Sequence, residues 1–545
     1  MTTSARRLLG VLLPILFLAA CEATPPGNRV PIIAAPAPAA MAPAAMAPAA
    51  PARGGPARGG PALPPQPAPE RMANLPEQSW QSAVEAPVST FSIGGDTASY
   101  TLTRRLLESG VMPQPVMVRP EEFLNAFDYG YPRPTSPQDP IATFVSVHPS
   151  PWNAERRLVH IGLRAWQPPV PQARRRLNLV MLVDVSGSME SQDRLPLLQR
   201  GLAMMLPELR AEDRVSLVVY AGGVQVVLDS VPGDQRDRIA AALEGLRAGG
   251  GTAGGAALAT AYSLAGKNLD PAAINRVVLA TDGDFNIGIR TPAEMKDFIS
   301  RERQRGIYLT TIGVGLDNYN DRTLHALARA GNGTAIYAGS LQDLRRGLVE
   351  DFAANIVPAA DDVKAQVEFN PAVVSHYRLI GYETRQLSQA DFRNDQVDAG
   401  ELGSGRSVTA IYEIVPIGGA RPPVEPLRYA APLRPAPRAT QAAEIAFLRV
   451  AYKRPGQRQS RELGRAITPR DQHASFDAAP EAARFAAAVA GFAQLLRRSP
   501  HTGDWGFTQA AAVAAAARGV DEDGRRAEFI ALLRLAAARY PMGPR

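Results

Sequence analysis

The sequence predicts an α/β protein. A central, mostly parallel sheet with helices on both faces is inserted in or flanked by a β-sandwich-like domain, and a helical region closes the chain. Three observations carry this. From Leu177 to about Phe352, short apolar strands alternate with helix-length segments, the pattern of a parallel sheet covered by helices. Leu179 to Val183 is a continuous apolar run, as a strand buried on both faces requires. On either side of this unit, segments alternate apolar and polar residues as half-buried strands do.

The chain is long enough for several domains and large cores. Its 59 Lys and Arg against 52 Asp and Glu give a net charge of +7, spread along the chain rather than gathered in one tract. That reads as a basic solvated surface, with no nucleic-acid partner expected.

Residues 1–20 read as a signal peptide. Arg6 and Arg7 form a positive start, and Leu8 to Leu18 is apolar but short for a bilayer span. Leu18-Ala19-Ala20-Cys21 resembles the bacterial lipobox, which implies diacylglycerol on Cys21, cleavage before it and acylation of the new amino terminus. Cys21 is the single cysteine, so no intramolecular disulfide is available and the folded parts must rely on packed cores. Multiple acyl chains imply firm anchoring. Glu22, where an Asp would favour inner-membrane retention, points to the outer membrane facing the periplasm over the inner membrane or cell surface.

Residues 21–77 hold the lipidated Cys and a Pro/Ala/Gly-rich tether with near-repeats such as Ala-Arg-Gly-Gly-Pro. Such composition buries too little apolar surface to offset ordering entropy. At ~3.1 Å per residue in PPII, the tether reaches on the order of 150 Å.

Residues 78–135 form an N-terminal module. Ser89 to Tyr100 leads into a helix over Thr101 to Ser109, and Pro120 opens a second one ending near Phe127. Residues 136–176 are a β segment, with strands at Thr143–Val147 and Arg157–Trp166. Residues 177–355 are the α/β domain. Its strands are expected at Leu179–Val183, Arg214–Tyr220, Val224–Leu228, Arg276–Ala280, Tyr308–Val314 and Ala335–Tyr337. The second and third are joined by a short Gly-containing turn, so one edge pair is expected to be an antiparallel hairpin. Helices are expected at Leu195–Leu209, Gln235–Arg247, Gly254–Leu269, Pro292–Arg305, Arg322–Ala330 and Leu341–Phe352. Residues 356–465 are β-rich, with strands at Val363–Phe369, Ser375–Ile380, Ser407–Val415 and Glu444–Tyr452. Residues 466–545 are helical, at Ala479–Arg498, Phe507–Arg518 and Asp523–Tyr540. We expect the two β-rich flanks to form one sandwich.

Three loops at strand ends or helix starts carry oxygen-rich residues. The first holds Asp184, Ser186 and Ser188, directly after the continuous apolar run. The second is the Gly249-Gly250-Gly251-Thr252 turn before a helix. The third is Thr281-Asp282-Gly283. In an open α/β sheet, ligands bind at the C-terminal strand ends. Hard oxygens suit Mg²⁺, which binds few protein ligands and keeps waters. Taken singly, Asp and Ser after strands are ordinary turn formers.

Asp184-x-Ser186-x-Ser188, Thr252 and Thr281-Asp282-Gly283 together resemble the metal-ion-dependent adhesion site (MIDAS) of the von Willebrand factor type A (VWA) domain. The resemblance implies a Rossmann-like domain holding Mg²⁺, with Mn²⁺ and Ca²⁺ as alternatives. It implies direct ligation by Ser186 and Ser188, and direct or water-mediated ligation by Thr252. Asp184 and Asp282 would act largely through waters or through hydrogen bonds to the groups that ligate. It also implies an open coordination position for a partner's carboxylate. Asp284 reads as a turn or rim residue.

A second resemblance covers the flanks. Ser89-Thr-Phe-Ser-Ile-x-x-Asp96-Thr-Ala-Ser-Tyr100, the Ala-rich segment around Arg484 to Pro500, and Arg518 to Phe529 are similar to a bacterial lipoprotein family of the YfbK kind. One departure is Gly94-Gly95, where that family usually has an Asp-Val pair.

Enzyme signatures are weak. The glycines before Thr252 lack the Lys of a P-loop, no Gly-x-Ser-x-Gly elbow occurs, and the six His are scattered. His148 and His160 read as structural. The sequence therefore predicts a non-enzymatic, lipid-anchored envelope protein. Its cation would engage Asp or Glu of a protein partner, with no small-molecule substrate. The runner-up is a structural protein whose metal only stabilises the fold. A metal-dependent hydrolase ranks third, for want of a positioned base.

Overall fold

The computed structural model describes residues 66–72, 76–168, 175–251, 254–283, 291–350, 358–395, 397, 399–419, 443–457 and 459–540. In chain order, the N-terminal segment supplies β1 (Gln81–Ser82), β2 (Val88–Ser92), α1 (Ala98–Glu108) and α2 (Pro120–Leu124). The long hairpin β3 (Ile141–Ser150) and β4 (Asn153–Ala165) follows. The α/β unit runs through β5 (Leu177–Asp184), α3 (Leu195–Ala203), β6 (Arg214–Tyr220), β7 (Val224–Pro232), α4 (Arg236–Glu244) and α5 (Gly254–Lys267). It continues through β8 (Ile274–Thr281), α6 (Pro292–Gln304), β9 (Ile307–Gly313), α7 (Asp321–Ala330), β10 (Ala335–Tyr337) and α8 (Leu341–Arg345). Then come β11 (Pro358–Phe369), β12 (Val374–Leu379), β13 (Gln386–Leu387), β14 (Gly400–Gly403), β15 (Ser407–Pro416), β16 (Ala446–Lys453) and β17 (Ser460–Ile467). Three helices finish the chain, α9 (Glu481–Arg497), α10 (Phe507–Ala516) and α11 (Arg525–Arg539).

The α/β sheet has the order β10-β9-β8-β5-β6-β7. Its pairs are parallel except β6–β7, which is antiparallel. The apolar run of β5 is continuous because both faces are covered. Leu179, Met181 and Val183 join one core cluster, while Val180 and Leu182 join the other. At the centre of the sheet, β5 lies between β6 and β8.

Among the described residues, the remaining strands form two antiparallel sheets, β1-β12-β15-β4-β3 and β13-β2-β11-β16-β17, with β14 beside β11. Strands from before and after the α/β unit pair directly. Ile161 of β4 lies opposite Ala410 of β15, and Phe91 of β2 opposite Ala365 of β11. One apolar cluster joins Val147, Ile161, Val367, Tyr412 and Leu448 between the sheets. The α/β unit is thus an insertion into a β-sandwich assembled from both flanks.

A separate apolar cluster unites the N-terminal helices with the C-terminal ones. Tyr100, Phe123 and Phe127 pack with Phe485, Phe492 and Phe529. Phe127 meets Phe529 edge-on with centroids 5.2 Å apart, and Phe123 meets Phe492 at 6.1 Å. Edge-to-face contact of this kind adds to the area the rings bury.

Several elements differ from the sequence expectation. Helix α3 ends at Ala203, and Leu206–Glu208 is a 3-10 turn. Pro207 has no N–H to continue the ladder. Helix α8 stops at Arg345 and passes into a π turn over Arg346–Glu350. Helix α2 is only five residues long. β2, over Val88–Ser92, and the polar edge strand β17 carry no strand expectation from the sequence. Among the described residues, no helix is long and apolar enough to cross a membrane. Cys21 lies outside the described residues.

Candidate metal centre

β5 ends on Asp184, and the chain turns at once through the short 3-10 segment Gly187–Glu190. The turn is tied to the glycine loop. Gly187 N donates to Gly250 O at 3.0 Å, and Gly249 N donates to Val185 O at 2.8 Å. The neighbouring strand β8 delivers Thr281 and Asp282 beside it, in parallel register with β5. Gly283 follows with φ +111°, and a Cβ there would press on the Asn318 carbonyl and Asn320 amide. Only glycine fits this close backbone approach.

The structure brings Asp184, Ser186, Ser188 and Asp282 to one sheet edge. Thr252 and Asp284 lie outside the described residues. Asp184 is fully buried. Its Oδ1 accepts from Ser186 N at 2.9 Å. Its Oδ2 accepts from Thr281 Oγ1 at 2.9 Å and from Tyr220 OH at 3.2 Å. Burial pushes the Asp184 carboxyl above its ordinary range, against the pull of the Ser186 and Thr281 hydrogen bonds. Burial, with Asp184 beside it, holds the Tyr220 phenol protonated far above its usual range. Tyr220 is therefore a donor at this site.

Ser186 Oγ and Ser188 Oγ lie 3.1 Å apart. Two cis ligands of an octahedral Mg²⁺, each at about 2.0–2.1 Å, stand about 2.9 Å apart. The hydroxyl pair therefore fits one edge of such an ion. Asp184 is committed to three donors, which suits an orienting role. The donor set is hard oxygen throughout, so the residues present fit a hard divalent cation.

One residue of this centre carries no signal in the sequence pattern. Arg194, just before α3, donates from Nη1 to Asp282 Oδ2 at 2.8 Å and to Ser188 O at 2.6 Å. Its Nη2 pairs with Asp317. A protein cation thus already shares the second acid of the motif. Its position in a loop, outside any helix or strand period, gave no reason to single it out.

A second cluster could be mistaken for a metal site. Asp96, Glu122 and His325 offer buried ligand atoms within 4.8 Å of one another. Arginines already serve them. Arg119 forms a bidentate pair with Asp321, both distances 2.7 Å. It also pairs with Glu122, and Arg385 pairs with Asp96. Burial would raise Asp96, but Arg385 and His325 outweigh it and hold the carboxyl well below the carboxylate range. A cation would have to displace two guanidinium groups, so this is an ion-pair cluster joining the N-terminal segment, α7 and the sandwich. The Gly94 departure belongs to it. A Cβ at Gly94 would land in the Arg385 guanidinium, so glycine leaves the room that Arg385 occupies. His148 and His160 are both buried on the sandwich hairpin. His160 Nε2 meets Tyr131 OH at 2.6 Å.

Comparison with known proteins agrees with this architecture. A model described as von Willebrand factor type A domain matches residues 179–284, and one described as uncharacterized protein YfbK, C-terminal, matches 354–538. A third, described as von Willebrand factor, matches 66–160, the N-terminal segment and first sandwich strands. VWA domains commonly bind a divalent metal and mediate protein–protein interaction. The chain is 37% identical over 476 residues to uncharacterized protein YfbK of Escherichia coli (strain K12), covering 86% of this chain and 81% of that one. Inter-alpha-trypsin inhibitor heavy chain H2 of Sus scrofa is 25% identical over 167 residues, 29% of this chain and 17% of its own length. A solved von Willebrand factor type A structure from Catenulispora acidiphila aligns over 75% of this chain and 91% of its own, with a TM-score of 0.40 and 17% identity. With 37% identity over most of both chains and its C-terminal region matched by the YfbK model, the chain belongs to the YfbK family of VWA-domain proteins.

Proposed function

We propose that the VWA domain binds a divalent cation, Mg²⁺ in the first instance, through Ser186, Ser188 and Thr252, with Asp184 and Asp282 orienting that set, and that the site engages an acidic group on a protein partner. The supporting observation is the hydroxyl pair at 3.1 Å, braced by a buried Asp184 and bordered by an acid already paired to Arg194. Few anionic ligands are free to contact the ion directly. A bound cation supplies net positive charge at an open coordination position, which attracts an external carboxylate. Tyr220 and Thr281 hold Asp184 in place, and Arg194 limits the negative charge the site itself provides.

In the same reading, Cys21 anchors the protein by lipid to the cell envelope, with the outer membrane facing the periplasm preferred. The tether lets the domain search for partners around its anchor. The role is assembly or adhesion, without turnover. Cross-linking in the native envelope tests this, comparing wild type with Asp184→Ala. Cross-links that disappear in the variant and on chelation support it. Identical cross-links in all three samples overturn it. If chelation lowers the melting temperature while the cross-links persist, the metal serves the fold alone.

A further inference from the structure

Where the VWA domain meets the sandwich, a cavity of about 100 Å³ is lined by three arginines, Arg276, Arg329 and Arg385. Its walls also include Asp96, Glu401, Asn332 and the glycines Gly94, Gly95, Gly333, Gly400 and Gly403. It shares no residue with the metal centre.

The two acids on its wall are engaged. Asp96 pairs with Arg385 and accepts from Ala335 N at 3.0 Å. Glu401 Oε1 accepts from Asn332 Nδ2 at 2.6 Å. Arg385 spends Nη2 on Asp96 and donates Nη1 to Ile93 O at 2.7 Å. Arg276 is buried and donates to Thr310 Oγ1 at 2.8 Å.

Arg329 is the residue that remains unbalanced. Among the described residues it forms no ion pair. Its Nη1 donates to the Thr384 carbonyl at 2.9 Å, and its buried Nε has no hydrogen-bond partner. Burial, and next the charge of Arg385, disfavour its cationic form. Arginine does not give up its proton in a protein. The charge therefore stays and is poorly compensated. The carboxylates that act on Arg329, Asp96 and Glu122, are already paired with Arg385 and Arg119. A half-buried guanidinium with no acid of its own suits the oxygens of a small anion.

We propose that this cavity is a binding site for a small free oxyanion of the phosphate or sulfate class, seated against Arg329 with Arg276 and Arg385 around it. The ligand joins the VWA domain to the sandwich, because Arg276 and Arg329 come from the former and Arg385 and Gly400 from the latter. Bound anion stabilises the junction by mass action. The site is independent of the divalent cation, so chelation leaves it intact.

The test uses the whole purified protein, with EDTA present. Inorganic phosphate and sulfate are titrated calorimetrically against chloride at equal ionic strength, and melting temperature is followed in parallel. We expect one site per chain and a rise in melting temperature with millimolar phosphate or sulfate. The anion that gives the larger rise identifies the preferred class. Arg329→Gln should weaken binding by about tenfold or more, the loss of one charge-assisted contact. Gly95→Asp gives a second, independent reading. A Cβ at Gly95 meets nothing within 4 Å, so the new carboxylate has room at the cavity wall. It should raise the melting temperature in chloride and remove the response to phosphate. The proposal is overturned if wild type responds to phosphate and sulfate no more than to chloride. It is equally overturned if Gly95→Asp, correctly folded, responds as wild type does.

Discussion

Arg194 Nη1 stands 2.8 Å from Asp282 Oδ2, with the guanidinium also holding the Ser188 carbonyl. One side chain therefore fixes the first and third motif loops against each other. It also lowers the negative charge available to a cation.

The first prediction follows from that pair. Arg194→Ala removes a positive charge next to the metal centre and takes from Asp282 its ion pair. Mg²⁺ affinity should rise by about tenfold, roughly 1.4 kcal/mol, while stability in EDTA falls. Calorimetric titration and melting curves with and without Mg²⁺ check both. An Arg194→Ala protein that binds Mg²⁺ more weakly would show that Arg194 matters for loop geometry more than for charge.

A second prediction concerns Arg378 and Glu413, both fully buried and 2.7 Å apart. Arg378 also reaches Gln494 of α9 at 2.7 Å and Glu77 at 2.8 Å. Trp152 Nε1 donates to Glu413 at 2.9 Å. The pair thus ties the sandwich to the helical layer. Arg378→Ala leaves the buried Glu413 with only the longer Arg156 contact at 3.4 Å and should cost up to about 3–5 kcal/mol. Replacing both residues with apolar ones of similar volume should recover most of this. Urea unfolding of the single and double variants decides it.

His325 makes a prediction about alkaline pH. Burial alone would depress it, but Asp321 and Glu122 hold it up to about 9 against an ordinary value of 6.5. The folded state keeps a proton that the unfolded chain has lost. Its contribution, a few kcal/mol at most, is therefore complete below pH 6.5 and disappears as pH rises through 9. The melting-temperature gap between wild type and His325→Gln should be widest below pH 6.5 and shrink above 9. A gap constant across that window would place the imidazole outside the charge cluster.

His160 and His148 make the opposite prediction on the acid side. Burial pushes His160 down to about 3 and His148 down to about 4. The unfolded chain takes up these protons first, so stability should fall as pH drops from 6.5 toward 4. His160→Phe, which keeps edge-on ring contacts with Tyr131 and Phe144 but cannot be protonated, should flatten that fall. It should also lose stability at neutral pH through the lost hydrogen bond to Tyr131 OH, which keeps only Thr409 Oγ1. Melting curves from neutral to acid pH separate the two effects.

Much of the α/β unit was legible because its pattern is local. Leu179 to Val183 announces a doubly covered strand, and the turn after Asp184 announces a strand end. The apolar period by itself extends α3 to Leu209, whereas Pro207 turns its end into a 3-10 segment. β2 was hidden because Val88–Ser92 is a strand only beside β11 and β13. β17 is a polar edge strand, and its pairing with β16 supplies the regularity that its sequence lacks.

By itself, the sequence determined the elements whose driving force is periodic burial and the oxygen-bearing loops at their ends. It also marked both flanks as β-rich. Tertiary structure alone decided what those pieces share. Phe123 and Phe127 find their core against Phe485, Phe492 and Phe529, more than 350 residues away. Arg194 meets Asp282, Arg378 meets Glu413, and Arg329 is left facing a cavity. Hydrophobic periodicity repeats along the chain, so it can be read from it. Pairing of buried charges depends on which distant segments come within a few ångströms, and no local pattern records that.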